Sequence, residues 1–337
     1  MAVRDVLIVG AGPSGLSAAI AAKQRGLDYQ VLEQGTLVNS IYHFPPQMVF
    51  FTTPELLEIG GIPFVSPFEK PTRAEALKYY RKVVDRFDLR IVFEEKVIRV
   101  SAEPENVDGS TLFVVETQSA RGVRRVRHGR HVVFAIGYYD HPNLLNIPGE
   151  DLPHVHHYYS EPHPYYRQRL VIVGGGNSAA EAALELYRSG AEVTLVHRAP
   201  ELKSTIKYWV RPDIENRIKE GSVAARFNSC VKEIRPTSIV ISTRKESGET
   251  AVEEIAADTV LLLTGYRADS QLLVEAGIEL NDRDAPVYNP DTFETNVRGV
   301  FVAGGALAGI DTGTIFIENG RFHGEKIVRA ILQKLTI

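Results

Sequence analysis

The sequence contains very little cysteine: Cys230 is the only one among 337 residues. A single thiol excludes an internal disulfide and an internal pair of redox thiols. Cys230 lies in residues 227–231, whose composition is typical of a strand. We therefore expect a buried, unreactive thiol.

Long apolar runs and an excess of charge of one sign are also absent. No apolar run reaches the roughly 18 residues that a membrane-spanning helix needs. The formal net charge is −4 and no long basic run occurs, so neither a nucleic acid nor a membrane is an expected partner. The first five residues lead directly into an apolar strand, which predicts no signal peptide and a cytoplasmic location.

What the sequence does contain is a glycine-rich loop close to its start. Residues 6–9 are branched and apolar, which is typical of a buried parallel strand, and a helical pattern follows the loop. Gly10 allows the tight turn, Gly12 lets the backbone approach a pyrophosphate, and Gly15 lets the helix pack close to the strand. The next strand ends in Glu33, which is suited to accept hydrogen bonds from a ribose. This order of features predicts a dinucleotide-binding unit.

A second copy of the same pattern begins at residue 170. A branched strand leads into Gly174 and Gly176, a helical pattern follows, and the next strand covers residues 192–196. Glu33 follows Gly10 by 23 positions, and His197 follows Gly174 by the same interval. Equal spacing indicates an internal repeat of a nucleotide-binding unit, as expected for a chain with the length of about two domains.

The two copies differ at the end of their second strand, where the residue type distinguishes a ligand with a 2′-phosphate from one without. Glu33 would repel a 2′-phosphate, so the first site predicts FAD or NAD. In the second copy His197 and Arg198 end the strand, and Lys203 follows. Because arginine can bind a phosphate through two hydrogen bonds, the second site predicts NADP(H). The alternative is that Arg198 and Lys203 form a solvated basic face.

Further strands in the sequence also end at glycines. Residues 131–137 and 260–265 do so, and residues 299–305 form a last strand before a glycine-containing segment, 312–320, that leads into the C-terminal helix. Such a strand end next to a helix N-terminus can stabilise an anionic or electron-rich ring edge. Residues 39–54 are rich in aromatics and prolines, which favours a packed loop, although such a loop could also wall a flat ring.

Two dinucleotide units in series, with strands that end at glycine, resemble the two-domain flavoprotein reductases of the thioredoxin reductase type over essentially the whole chain. Several segments more closely resemble the YpdA group, the bacillithiol disulfide reductases: residues 39–42, 50–53, 157–159, 163–165, 176–179, 206–210 and 315–320. The resemblance implies an α/β fold with two doubly wound, Rossmann-like domains, each of three layers. It implies a discontinuous FAD-binding domain, 1–140 and 265–337, and an inserted NADPH-binding domain, 141–264.

The motifs and the resemblance together predict the cofactor contacts. For FAD they are Gly10, Gly12, Pro13, Ser14, Gly15, Glu33, Gln34, Asn39, Phe51, Thr52, Val97, Gly137, Gly304, Gly305, Thr314 and Ile315. For NADPH they are Gly174, Gly176, Asn177, Ser178, Ala179, His197, Arg198 and Lys203. No metal site is predicted, because the spacing of His154, His156, His157 and His163 matches no common zinc pattern.

Three departures from the family pattern concern the reaction. Residues 154–161 contain no thiol where thioredoxin reductases carry Cys-x-x-Cys. Many bacillithiol disulfide reductases carry one cysteine in the first glycine loop, and Ser14 stands at that position; a hydroxyl cannot form a mixed disulfide. We expect Ser14 to be a helix N-terminal hydroxyl near the pyrophosphate. Gly305 replaces the aspartate of the usual Gly-Asp pair.

The resemblance implies an NADPH-dependent flavoprotein that passes a hydride from NADPH through FAD to an acceptor, and a homo-oligomer. Three alternatives stay open for its role. It could reduce a small-molecule disulfide such as bacillithiol disulfide, or it could reduce a small redox protein, as ferredoxin/flavodoxin–NADP reductases do. It could also be a non-catalytic flavoprotein that senses NADPH.

Overall fold

The fold was analysed in a computed structural model, which describes residues 3–103, 111–245 and 247–335. The chain divides into two compact units, Met1–His141 with Tyr266–Ile337, and Pro142–Gly265. Each point of division lies one residue after the predicted one. In the described part of the chain, no helix is long and apolar enough to cross a membrane.

The elements have the following bounds. The strands are β1 (Val3–Val9), β2 (Tyr29–Leu32), β3 (Ile91–Val92), β4 (Glu95–Ala102), β5 (Phe113–Ser119), β6 (Arg124–Phe134), β7 (His141–Pro142), β8 (Val155–His156), β9 (Arg169–Val173), β10 (Glu192–Val196), β11 (Ala224–Arg226), β12 (Ser229–Arg235), β13 (Ser238–Arg244), β14 (Thr250–Ala256), β15 (Thr259–Leu262), β16 (Tyr266–Arg267) and β17 (Val300–Val302). The helices are α1 (Pro13–Gln24), α2 (Asn39–Tyr42), α3 (Arg73–Phe87), α4 (Asn177–Arg188), α5 (Arg211–Lys219), α6 (Ser270–Glu275), α7 (Ile317–Gly320) and α8 (His323–Leu335).

The first unit is built on one mixed sheet with the order β3-β2-β1-β6-β5-β4, and β17 also pairs with β6. Strands β2, β1, β6 and β17 run parallel to their neighbours, whereas β4, β5 and the first half of β6 form an antiparallel meander. Residues 6–9 of β1 are buried on both faces, as their continuous branched sequence predicts.

Helix α1 lies between this sheet and α8. Its residues 15–22 are all buried, and small side chains allow the close approach of α8. A Cβ on Gly324 of α8 would lie 2.2 Å from the backbone nitrogen of Ala18. The Ser17 hydroxyl donates to the carbonyl oxygen of Arg321 at 2.6 Å. The C-terminal segment is thereby packed onto the first glycine loop's helix.

The second unit repeats the architecture on a smaller scale. Its parallel sheet has the order β11-β10-β9-β15-β8, and α4 buries four alanines against it. A separate antiparallel sheet, β12-β13-β14, packs through Ile239 and Ile241 against the other face, around Val171 and Val260. Helix, sheet and sheet form three layers around two apolar cores.

The prediction of a buried Cys230 is wrong: the residue is exposed. The reason is the alternation of side chains along an edge strand. In β12, Ser229 and Val231 are buried, and the Ser229 hydroxyl lies 2.7 Å from that of Thr243. Cys230, between them, therefore faces outward.

Thr72 is the N-cap of helix α3. The Thr72 hydroxyl accepts a hydrogen bond from the backbone N–H of Glu75 at 3.3 Å, and the Glu75 carboxylate accepts one from the N–H of Thr72 at 2.8 Å. The two residues form a capping box that satisfies two amides otherwise left without partners.

Thr72→Ala is expected to lower the free energy of unfolding by about 1 kcal/mol, because one half of this capping box is lost. The change is measured as a shift of the denaturant midpoint of the first unit. Thr237→Ala, in the exposed turn between β12 and β13, is the matched control and should leave the midpoint unchanged. Equal effects of the two variants would contradict the capping role.

Candidate functional site

The first glycine loop joins β1 to α1 and is shaped by close backbone contacts. Gly10 has a φ of +106°, and a Cβ there would lie 2.4 Å from the carbonyl oxygen of Ala135. A Cβ on Gly15 would lie 2.0 Å from the carbonyl oxygen of Gly10. At Gly12, by contrast, a Cβ would meet nothing within 4 Å. Gly10 and Gly15 are thus required by the fold, whereas Gly12 leaves open space over the loop.

Helix α1 starts at this open space. Gly12 is its N-cap and provides no side-chain hydrogen bond, and the first turn carries no acidic residue. The amides of a first helical turn have no partner within the helix, and the helix dipole adds partial positive charge there. These features suit a pyrophosphate.

Glu33 fastens the loop to the next strand. One carboxylate oxygen accepts from the backbone N–H of Ala11 at 2.7 Å, and the other accepts from Gly35 at 2.9 Å. Burial raises the pKa of Glu33, while these backbone hydrogen bonds oppose the rise. Each carboxylate oxygen can accept a further hydrogen bond, so Glu33 can serve both the loop and a ligand.

The second glycine loop has the same construction. A Cβ on Gly174 would lie 2.5 Å from the carbonyl oxygen of Leu263. The N–H of Gly174 donates to Val196 at 3.0 Å, as that of Gly10 donates to Leu32 at 2.8 Å. Gly176 is the N-cap of α4, whose first turn contains Asn177, Ser178 and Ala179 without an acidic residue.

His197 takes the position that Glu33 holds in the first unit. Its ring lies against Gly175, where a Cβ would come within 2.4 Å of it. Burial lowers the pKa of His197, and the charges of Lys203 and Arg198 lower it further. His197 is therefore neutral at pH 7 and fills space rather than carrying charge.

Arg198 and Lys203 project from this second loop and are exposed. Within the described residues neither forms an ion pair. The N–H of Lys203 donates to the carbonyl oxygen of Gly175 at 2.9 Å, and the Asn177 amide bonds the backbones of Thr205 and Lys207. The segment that carries Lys203 is thereby fixed beside the glycine loop, where two cations are available for an anion.

A cleft of about 1210 Å³, including its part open to solvent, lies in the first unit. Most of the predicted FAD contacts line it: Gly10, Gly12, Pro13, Ser14, Glu33, Gln34, Asn39, Val97, Gly137, Gly305 and Ile315. The cleft therefore follows the edge of the sheet from Val97 to the C-terminal segment, past the N-terminus of α1.

Five predicted contacts do not line the cleft. Gly15 lies beneath the loop, against Gly10 and Ala135. The Phe51 ring packs edge-on against the ring of Phe316, which lines the cleft, and the two ring centroids are 5.3 Å apart. The remaining three are Thr52, Thr314 and Gly304.

Thr52 and Thr314 have hydrogen bonds of their own. The Thr52 hydroxyl donates to the carboxyl group of Glu318. The Thr314 hydroxyl donates to the carbonyl oxygen of Asp311 at 2.9 Å, and its carbonyl accepts from Asn319 at 3.0 Å. Neither is positioned as a direct cleft contact in this structure.

Gly304 meets Ser14 at the end of β17. A Cβ on Gly304 would lie 2.3 Å from the Ser14 hydroxyl oxygen, and one on Gly320 would lie 2.7 Å from it. The hydroxyl is therefore enclosed between two glycines. The N–H of Gly304 donates to the Nδ1 atom of buried His323 at 3.1 Å, which holds the strand end in place.

Sequence reasoning missed the polar residues that follow Gly137. Tyr138, Tyr139, Asp140 and His141 line the cleft. Burial raises the pKa of Asp140, whose carboxylate accepts from Gln34 at 2.7 Å. They could have been found from their place directly after a parallel strand, since ligands bind at the carboxyl ends of such strands.

Lys96 and Asp269 are lining residues that no sequence signal indicates, whereas Phe44 belongs to the aromatic segment 39–54 that could wall a flat ring. Asp269 comes from a part of the chain far from the glycine loop, and its Oδ2 atom lies 3.6 Å from the Nε2 atom of His141. Asp269 caps α6 by accepting a hydrogen bond from the backbone N–H of Leu272 at 3.1 Å. Its place at the cleft therefore depends on where the tertiary fold puts α6.

The cleft fits a flavin dinucleotide. Gly12 provides a backbone surface without a side chain, α1 provides unpaired amides, and Glu33 provides a carboxylate. Two such loops, one with an acid and one with two cations that form no ion pair among the described residues, are the construction expected of a protein that binds two different dinucleotides.

Comparison with known proteins gives the same class. The chain belongs to the pyridine nucleotide-disulphide oxidoreductase family, whose profile matches residues 7–304. It is 42% identical over 335 residues to bacilliredoxin reductase Bdr of Bacillus subtilis, with 99% of each chain covered. The solved structure of bacillithiol disulfide reductase Bdr (YpdA) from Bacillus cereus matches with a TM-score of 0.93 at 39% identity, covering 99% of this chain and 100% of that chain. Ferredoxin–NADP reductase of Ignicoccus hospitalis is 30% identical over 307 residues, or 90% of each chain.

These findings confirm the resemblance and the α/β fold with two Rossmann-like domains. The chain is an FAD-dependent oxidoreductase, and FAD and NADPH are the cofactors of this class. The assignment of individual contacts to each cofactor stays a prediction.

His323 makes stability depend on pH. Burial lowers its pKa to about 4, below the value of about 6.5 expected in the unfolded chain. The unfolded state therefore takes up a proton first, and stability is lost as the pH falls from about 6.5 to 4, by up to about 3 kcal/mol. For His323→Gln, the free energy of unfolding should therefore fall less between pH 7 and pH 4 than for wild type, as measured by denaturation curves at both pH values. His163→Gln, at an exposed position, is the control, and pH curves of His323→Gln parallel to wild type would contradict the assignment.

Proposed function

We propose that this protein transfers electrons from NADPH through FAD to a low-molecular-weight disulfide of the bacillithiol type. The observation that carries the proposal is the pair of equally built glycine loops with opposite charge at the ligand-selecting position. Similarity to bacilliredoxin reductase Bdr over 99% of both chains supports the disulfide as acceptor.

In this proposal the first unit binds FAD. The loop from Gly10 to Gly15 holds the pyrophosphate at the N-terminus of α1, and Glu33 binds a ribose. Gly305 and Ile315 line the cleft at the flavin end. When bound, FAD supplies the two-electron chemistry that links a nicotinamide to a disulfide; the protein contributes orientation, exclusion of water and charge.

The second unit binds NADPH at the loop from Gly174 to Ala179. Arg198 and Lys203 bind the 2′-phosphate, since no carboxylate among the described residues forms an ion pair with either cation. His197 supports the loop and, unlike the carboxylate of Glu33 at the equivalent position, carries no negative charge that would repel the phosphate.

Without a thiol at position 14, the disulfide must react without a mixed disulfide on this chain. Cys230 is exposed but belongs to the other unit, and no second cysteine exists to release such an adduct. We therefore propose direct reduction of the substrate at the cleft.

A second candidate function is reduction of a one-electron carrier such as ferredoxin or flavodoxin. The absence of a thiol in the glycine loop favours it, since electron transfer to such a carrier needs none. The 30% identity to a ferredoxin–NADP reductase also supports it. For either function we also propose the cytoplasmic location and the homo-oligomeric assembly that are expected from the sequence.

The acceptor is tested by anaerobic absorbance of the FAD-loaded protein. NADPH is expected to bleach the flavin band, and bacillithiol disulfide is expected to restore it at a rate compatible with turnover. Ferredoxin or flavodoxin serves as the competing acceptor. Recovery only with the redox protein would favour the second function, and absence of bleaching would favour a protein that binds NADPH without using it.

Arg198→Ala is expected to raise the KM for NADPH roughly ten- to a hundredfold, because a charge-assisted contact contributes about 1.5–3 kcal/mol. The KM for NADH should change little, since NADH has no 2′-phosphate. Steady-state kinetics with both nucleotides measure the difference. Lys219→Ala, at an exposed lysine of the same unit, is the control, and an equal rise for both nucleotides would refute the phosphate contact.

A further inference from the structure

Gly305 is a glycine for a reason that its own backbone does not supply. Its φ lies outside the left-handed region, whereas that of the neighbouring Gly304 is +65°, so the backbone at position 305 does not itself require glycine. A Cβ at this position, however, would lie 2.7 Å from the Cδ1 atom and 3.0 Å from the Cε1 atom of Tyr138. The ring of Tyr138 therefore occupies the space that a side chain at position 305 would need.

Tyr138 is a cleft residue whose own segment is well packed. It follows the carboxyl end of β6, and both Tyr138 and Gly305 line the cleft. The next residue, Tyr139, packs its ring edge-on against Phe44, with ring centroids 4.9 Å apart, and against Tyr266, with centroids 4.6 Å apart. These contacts restrict the segment that carries the Tyr138 ring and keep the ring over Gly305.

The Tyr138 hydroxyl has no hydrogen-bond partner among the residues that the structure describes. It is not one of the fully buried polar atoms without a partner either, so it is accessible from the cleft that the residue lines. Burial raises the pKa of Tyr138, and the charge of Glu318 in α7 raises it further. The phenol is therefore protonated at neutral pH, and it can donate one hydrogen bond and accept another.

The place of Tyr138 along the cleft indicates which part of FAD it meets. The cleft passes the N-terminus of α1 and reaches the C-terminal segment at Ile315. With the pyrophosphate at α1, the ribityl chain follows on the side of the C-terminal segment. Tyr138 lies on that side, because its ring contacts Gly305. The hydroxyl groups of a ribityl chain both donate and accept hydrogen bonds, as a phenol does.

We propose that Tyr138 is a ribityl-binding residue: its hydroxyl forms a hydrogen bond with the ribityl chain of FAD, and its ring excludes any side chain at position 305. The inference rests on the proposed binding of FAD by the first unit. It also explains why this chain has glycine where the family pattern has aspartate. A carboxylate at position 305 would displace the ring that supplies the hydroxyl, so a polar group from β6 takes its place.

The first test removes the hydroxyl and keeps the ring. In Tyr138→Phe the Kd of FAD should rise roughly two- to tenfold, the loss expected for one neutral hydrogen bond. The Kd is measured from the flavin fluorescence of serially diluted FAD-loaded protein and needs no turnover. Tyr288→Phe, at a half-buried tyrosine of the same unit that does not line the cleft, is the control. An unchanged Kd for Tyr138→Phe would overturn the inference.

ADP distinguishes the ribityl chain from the pyrophosphate, because it contains only the pyrophosphate. The inhibition constant of ADP, measured by its competition with FAD, should be the same for Tyr138→Phe and wild type. A loss of ADP affinity as large as the loss of FAD affinity would place the hydroxyl at the pyrophosphate and overturn the ribityl contact.

The second test exchanges the two side chains. Gly305→Asp should weaken FAD binding roughly tenfold, because its Cβ overlaps the Tyr138 ring. When Gly305→Asp is combined with Tyr138→Ala, the space is restored and the carboxylate can accept from the ribityl chain. The double variant should therefore bind FAD more tightly than either single variant, and strictly additive losses would contradict the exchange.

Gly305→Ala repeats the steric test with a single methyl group, in case the aspartate prevents folding. It should weaken FAD binding when Tyr138 is present and have no effect beside Tyr138→Ala. Equal effects in the two backgrounds would contradict the role of the ring.

The outcomes distinguish the inference from the function beneath it. A wild-type protein that retains FAD, with Tyr138→Phe and Tyr138→Ala retaining it equally, would overturn the role of Tyr138 alone. A wild-type protein that binds no FAD would overturn both the inference and the proposed function.

Discussion

In each unit, the first glycine of the glycine-rich loop lies against a backbone carbonyl oxygen. That carbonyl belongs to the residue directly after a neighbouring parallel strand. The contact is so close that a Cβ would come within 2.4 Å of Ala135 in one unit and 2.5 Å of Leu263 in the other. It turns the chain sharply at the carboxyl edge of the sheet and starts a helix there. The unpaired amides of that helix are consequently presented at the same edge in each unit.

In each unit, the residue 23 positions after this glycine stabilises the glycine-rich loop, but the interaction differs between the two units. Glu33 binds two backbone amides, so the first loop is held by hydrogen bonds to a carboxylate. His197 packs its neutral ring against Gly175, so the second loop is held by contact and carries no negative charge. One structural plan thus presents an acid to one ligand and two exposed cations to the other.

The far end of the cleft depends on long-range packing. Gly324 and Ser17 bring the C-terminal segment onto α1, and His323 fixes the amide of Gly304. Ser14 is enclosed where these parts meet. A hydroxyl there can contribute hydrogen bonds but no thiol chemistry, so the chemistry of the cleft depends on its cofactor and on the acids around it.

The sequence by itself determined the repeat and the two ligand types, because glycine positions and branched strands act over short distances. It located the main strands without fixing their bounds: the strand expected over 131–137 is β6, Arg124–Phe134. The three-layer units were implied by the family resemblance. The orientation of Cys230 could not be derived, since it depends on which face of an edge strand is covered by a second sheet.

Only the tertiary structure decided which side chains meet at the cleft. Asp269 reaches it because α6 packs beside β4, and Ile315 lines it together with the glycine loop from the opposite end of the chain. No local pattern encodes such contacts, because they arise from the joint burial of segments that are distant in the chain.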